Sequence, residues 1–169
     1  VLTYAENMTD LRRLYDDFRK FMQRLRYRYR NISTIDYIDV VEPQGRGAWH
    51  CHVLLRFNNL EKIYIPNEEM AKLWGQGFTK VKSLKDVDNV GAYLTAYLTD
   101  IEVSEGIQGP IKEVAGKRFL KGGRLHLYPP GMQLFRKSKG IVYPERKKMT
   151  YKTAIKKVGG ARPTVQRIY

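Results

Sequence analysis

"TIDYIDVVEPQGRGAWHCHVLLRF", residues 34–57, is the stretch on which the fold turns. Its first arm, 34–42, is rich in β-branched residues. "PQGRG" (43–47) supplies Pro and Gly turn chemistry, and a second apolar run follows to about Phe57. This predicts a β-hairpin. Residues i and i+2 of a strand share a face. His50 and His52 therefore point together to one side, while Trp49, Cys51, Val53 and Leu55 point to the other. The chain has 3 histidines, and two of them lie on this one strand face. The pair reads either as two metal-capable nitrogens or as a half-exposed strand that carries histidines. Glu42 closes the first arm, eight residues before His50. A turn between them brings its carboxylate toward the histidine strand. Glu42, His50 and His52 then form a three-ligand site with open positions, suited to Mn²⁺, Mg²⁺ or Zn²⁺.

The charge balance narrows the partners. Lys and Arg number 31 against 17 acidic residues, a net of +14. Such an excess implies a polyanion, with nucleic acid first and an anionic membrane surface second. Twelve tyrosines add stacking platforms for bases. The single cysteine, Cys51, excludes an intramolecular disulfide and fits a reducing compartment. No apolar stretch approaches the roughly 20 residues that span a bilayer, and the N-terminus does not resemble a signal peptide. "VLTYAEN" begins abruptly in strand-like sequence, so we expect residues upstream of Val1.

Around the hairpin, residues 1–5 read as a strand. Thr9 is the expected N-cap of a helix to about Arg28, with Asp10 in its first turn. Leu11, Leu14, Tyr15, Phe18, Phe21, Met22 and Leu25 form its apolar stripe. Its other face carries Arg12, Arg19 and Arg24, which reads as a solvated face or as a phosphate-tracking one. "NEEMAKLW" (67–74) predicts a short helix. "FTKVKSL" (78–84) alternates like a strand, as does "RLHLY" (124–128). "NVGAYLTAYLTD" (89–100) places Tyr93 and Tyr97 four apart on one helical face, an aromatic core stripe or a nucleophile pair. Asp100 reads as a helical surface residue. Residues 145–169 hold eight Lys or Arg and one acid. The expected architecture is α+β: a central antiparallel sheet of about five strands flanked by helices. Residues 1–144 form the domain, and 145–169 form a basic extension.

Taken together, "LTYAEN", "EPQGRGAWHCHVLL" and "VGAYLTAYLTD" resemble the three ordered motifs of the HUH endonucleases. The likeness is strongest to rolling-circle replication initiators (Rep) with two tyrosines. The resemblance covers roughly residues 1–100. It implies a divalent metal, Mn²⁺ or Mg²⁺, on His50, His52 and Glu42. It implies Tyr93 and Tyr97 as catalytic nucleophiles that cut and rejoin single-stranded or hairpin origin DNA through a 5′-phosphotyrosine link. The family's Y-x-x-K lysines are replaced here by Ala96 and Asp100, and Lys82 or Lys85 are candidate substitutes. The DNA-binding candidates are Arg12, Arg19, Arg24, Arg46, Lys82 and Lys85. The tyrosines follow the histidines, as in replication initiators and unlike conjugative relaxases. A transposase with the same chemistry and a non-catalytic nucleic-acid-binding module stay open. The chain has no G-x-x-x-x-G-K-[ST], so unwinding falls to a partner such as a host helicase. The resemblance implies the cytoplasm of a bacterial host, with no membrane partner.

Overall fold

The computed structural model describes residues 1–44, 47–84, 100–104, 106–114, 117–143, 147–157 and 159. The hairpin predicted at 34–57 is its centre. Strands β2 (Ile35–Pro43) and β3 (Trp49–Phe57) pair antiparallel along their full length. β1 (Leu2–Thr3) adds to the outer edge of β3, and β7 (Phe135–Lys137) adds to β2. The sheet order is β1-β3-β2-β7. A second sheet has the order β4-β6-β5, from β4 (Ile101–Glu102), β5 (Ile111–Val114) and β6 (Lys117–Leu120). The α+β class holds, with four strands in the main sheet rather than five.

The missing strand is the one expected at 78–84. Residues 76–80 do run beside β1: Thr3 N–H donates to Phe78 O, and Ala5 N–H to Gln76 O. Only Thr79 forms a bridge, to Leu2. The entry to this segment is bent by Gly75 and Gly77, both at positive φ. A Cβ on Gly77 would lie 2.4 Å from Ala5 N and 2.6 Å from Thr3 O, so only glycine lets the two backbones approach. Beyond it, Val81 N–H turns to the Asn67 side chain instead of a strand partner.

Helix α1 (Leu11–Tyr29) covers one face of the sheet. Its N-cap is Asp10, not Thr9: Asp10 Oδ1 accepts from Arg12 N–H at 2.8 Å and Arg13 N–H at 3.2 Å. Thr9 instead offers its carbonyl to Trp49 Nε1–H at 3.0 Å. The α1 stripe of Leu14, Phe18, Phe21, Met22 and Leu25 is buried, as its spacing predicts. It meets Val41, Cys51 and Phe57 of the hairpin in one core. α2 (Asn67–Trp74) caps this core with Trp74, whose ring lies edge-on to Tyr4 and Phe21. "RLHLY" is not a strand: Leu125–Leu127 form a 3₁₀ turn between Gly122 and Pro129. Alternation over five residues gave no room for the glycine turn that precedes it. A short basic helix, α3 (Tyr151–Lys157), lies in the C-terminal extension.

Candidate metal and DNA site

Register and alternation build the site. In the β2–β3 ladder Glu42 stands directly opposite His50, and Val40 opposite His52. Glu42, His50 and His52 thus share the sheet face turned away from α1. The other face sends Trp49 and Cys51 into the core. Cys51 is fully buried and its thiol is raised well above its usual value, chiefly by desolvation. It takes no part in the histidine face, as the alternation predicts.

The carboxylate leans along the ladder. Glu42 Oε2 lies 2.5 Å from His52 Nε2, with both side chains about nine-tenths buried. Burial pushes the His52 imidazole down to about 4 from its usual 6.5. The adjacent carboxylate pulls the other way, but its charge is shared with a second cation. We therefore take the downward direction, which leaves a neutral ring at pH 7. That second cation is Arg124, whose guanidinium forms an ion pair with Glu42 Oε1. Arg124 was not among the sequence candidates. It sits in the basic stretch after Gly122–Gly123, where nothing in the local pattern sets one arginine apart.

The loop bearing Arg124 is tied at both ends. Asp100 Oδ1 accepts from Gly122 N–H at 2.9 Å. Asp100 is 4% exposed, so the expected surface residue is a buried turn anchor. Tyr128 O–H donates to Val41 O at 2.9 Å, and its ring lies 6.0 Å from Trp49.

The donor chemistry of Glu42 with neutral imidazoles fits a divalent cation such as Mn²⁺ or Mg²⁺. The spacing is that of a carboxylate–imidazole pair in contact. Among the described residues, no three His, Cys, Asp or Glu side chains are arranged to hold a metal ion. Tyr93 and Tyr97 lie outside the described residues, as do Arg46 and Lys85.

The remaining basic candidates occupy different settings. Arg12 is exposed on α1. Arg19 pairs with Asp16 at 3.1 Å on the same exposed face. Arg24 is committed to the end of α2, donating to Leu73 O at 2.7 Å and Trp74 O at 2.8 Å. It caps a helix C-terminus, where a cation is favoured. Lys82 is exposed and lines a cleft of about 930 Å³ that runs along β3 past the end of β1. Lys62, Tyr64 and Lys80 line the same cleft, which begins at His52.

On the opposite face of β2, Asp39 is fully buried against Arg136 of β7, with Nε and Nη2 at 3.0 and 2.5 Å from Oδ2. The Arg136 guanidinium lies over the rings of Tyr15 and Phe18. This pair clamps β7 and α1 onto the strand that carries Glu42.

No helix among the described residues is long and apolar enough to cross a membrane. No curated protein and no solved structure matches the chain significantly. A family model does: that of the ORF2-type replication-associated proteins, over residues 1–102. That span is more than half of the 169 residues and holds the hairpin, Glu42 and both histidines. The chain therefore belongs to this family of replication-associated proteins.

Proposed function

We propose that this replication protein is an HUH-type nuclease. In this reading it nicks and rejoins single-stranded DNA to initiate and terminate rolling-circle replication of a plasmid, mobile element or phage. The observation that carries the reading is the meeting of Glu42 and His52, with His50 opposite Glu42 on the same face. A carboxylate and two imidazoles on one rigid hairpin form a compact donor set.

Glu42, His50 and His52 would hold Mn²⁺ or Mg²⁺, which would supply Lewis-acid polarisation of a phosphodiester oxygen. The chain's own groups do the rest. Burial keeps His52 neutral, so its ring needs no deprotonation before it ligates. A tyrosine of "VGAYLTAYLTD", Tyr93 or Tyr97, attacks phosphorus through Oη and loses its proton. The P–O3′ bond breaks, and the 3′ oxygen leaves as a hydroxyl after taking up a proton. The phosphotyrosine ester retains the bond energy, so the released 3′-hydroxyl rejoins by reversal without ATP. The second tyrosine allows a second transfer. Lys62, Lys80, Lys82 and Tyr64 along the β3 cleft offer phosphate contacts and a stacking surface leading to His52. Arg12 and Arg19 are the outward cations of α1. Arg46 and Lys85 enter this reading from the sequence alone.

One observation favours a non-catalytic nucleic-acid-binding module instead: Glu42, His52 and Arg124 form a closed ionic network that needs no metal to be satisfied. Incubation with a labelled hairpin oligonucleotide and Mn²⁺ separates the two. A denaturation-resistant protein–DNA adduct supports the nuclease. Retention without an adduct supports the binder.

A further inference from the structure

We infer that Arg124 is the resident counter-cation of Glu42 in the metal-free protein, and that it passes to a DNA phosphate when a divalent metal takes the carboxylate. The inference rests on the metal reading above and adds a residue and a coupling to it.

The charges require some such exchange. Glu42 carries −1 in a setting where its side chain is 10% exposed. A carboxylate so buried is costly without a cation beside it. Arg124 supplies that cation through Oε1, while His52 Nε2 lies against Oε2. Glu42 and Arg124 sum to zero. A divalent ion added to this pair leaves +2 beside a neutral imidazole, with a guanidinium and a metal ion repelling each other across one carboxylate. At close range in a partly buried site such repulsion is strong. It is relieved if the guanidinium turns away and an anion enters.

The geometry allows the side chain to turn while its backbone stays. Asp100 and Tyr128 anchor the loop on either side of Arg124. The Arg124 side chain is 21% exposed, twice as open as the carboxylate it meets. A planar guanidinium offers a fork that matches two phosphate oxygens. The loop is also tied to the tyrosine segment, since Asp100 is the last residue of "VGAYLTAYLTD". A phosphate held by Arg124 would thus lie between the metal donors and the segment that brings the nucleophile. Metal and phosphodiester binding then reinforce each other, and by linkage the effect is reciprocal.

The test is calorimetric titration of Mn²⁺ into the wild type, R124Q, R124M, R124K and H52A, with and without a single-stranded oligothymidylate. Without DNA, R124Q and R124M should bind Mn²⁺ about tenfold more tightly than the wild type, a coupling of ordinary size. R124K keeps the charge and should stay close to the wild type. In the wild type, oligothymidylate should tighten Mn²⁺ binding, and R124Q should lose most of that gain. Equal or weaker Mn²⁺ binding by both charge-free variants overturns the inference. So does wild-type Mn²⁺ binding that is indifferent to the oligonucleotide, a measurement that needs no variant to fold. A wild type that binds no Mn²⁺, or an H52A variant that binds it as the wild type does, overturns the metal reading itself and the role of Arg124 with it.

Discussion

Glu42 pairs in register with His50, yet its carboxylate rests on the ring of His52, 2.5 Å from Nε2. The diagonal contact makes the two histidines inequivalent. His52 shares the carboxylate directly, and His50 faces it across the ladder. Replacing His52 by Ala should abolish Mn²⁺-dependent cleavage. Single-stranded DNA binding should stay within a few-fold of the wild type, because it draws on distributed charge. His50→Ala should do the same. Full cleavage by the double variant would end the metal assignment. Gel-shift titration and adduct formation read the two properties separately.

The nucleophile is testable without reference to its placement. Tyr93→Phe keeps an aromatic ring and removes only the attacking oxygen. It should form no 5′-phosphotyrosine adduct, while Tyr97→Phe should still cut once. Mass-spectrometric mapping of the adduct peptide checks this. DNA found on Tyr97 in the wild type, with normal cutting by Tyr93→Phe, reverses the order of the two.

Arg136 is expected to matter for stability more than any surface arginine. Arg136→Ala strands the Asp39 carboxylate, which is fully buried and whose pKa desolvation already pushes up. Breaking one side of such a pair costs about 3–5 kcal/mol. Arg19→Ala breaks only the exposed pair with Asp16 and should cost less than about 1 kcal/mol. Urea unfolding of the two variants measures the contrast. Equal midpoints would show that the buried pair carries no special weight.

Asp36 predicts an acid-side effect. Its Oδ1 accepts from Ser138 O–H at 2.6 Å, and its Oδ2 from Asn58 at 2.9 Å and Arg56 at 3.1 Å. The Ser138 bond, then the Asn58 bond, lower its pKa below the usual 3.8. A depressed folded-state value means that the unfolded chain takes up the proton first. The stabilisation is therefore present in full above pH 3.8 and disappears as the pH falls through the lower folded value. Asp36→Asn should be less stable than the wild type at pH 6, and the gap should narrow below about pH 4. Urea midpoints across this range test it, and a constant gap would contradict it.

Charge in the C-terminal extension makes a separate prediction. Eight Lys or Arg lie in residues 145–169. For single strands each phosphate neutralised adds about −0.7 to the slope of log K against log salt. Deleting residues 145–169 should flatten that slope, as measured by fluorescence anisotropy of an oligonucleotide. An unchanged slope places the extension away from the DNA.

Much of the architecture was determined by the sequence itself. The 34–57 hairpin, the inward Cys51, the outward His50 and His52, the α1 stripe and α2 all follow from local periodicity. A strand repeats every two residues and a helix every 3.6, and burial on one face writes that period into the chain. Tertiary structure alone decided the rest. Residues 78–84 alternate like a strand, but close approach at Gly77 and the Asn67 side chain divert them after a single bridge. Asp100 looks like a helical surface residue, and its partner is an amide in a turn 22 residues on. Arg136 reaches Asp39 across 97 residues. Arg124 is one basic residue among many until the chain brings it to Glu42. Ion pairs of this kind leave no periodic trace. They depend on which loops the sheet brings together, and that is settled only when the core closes.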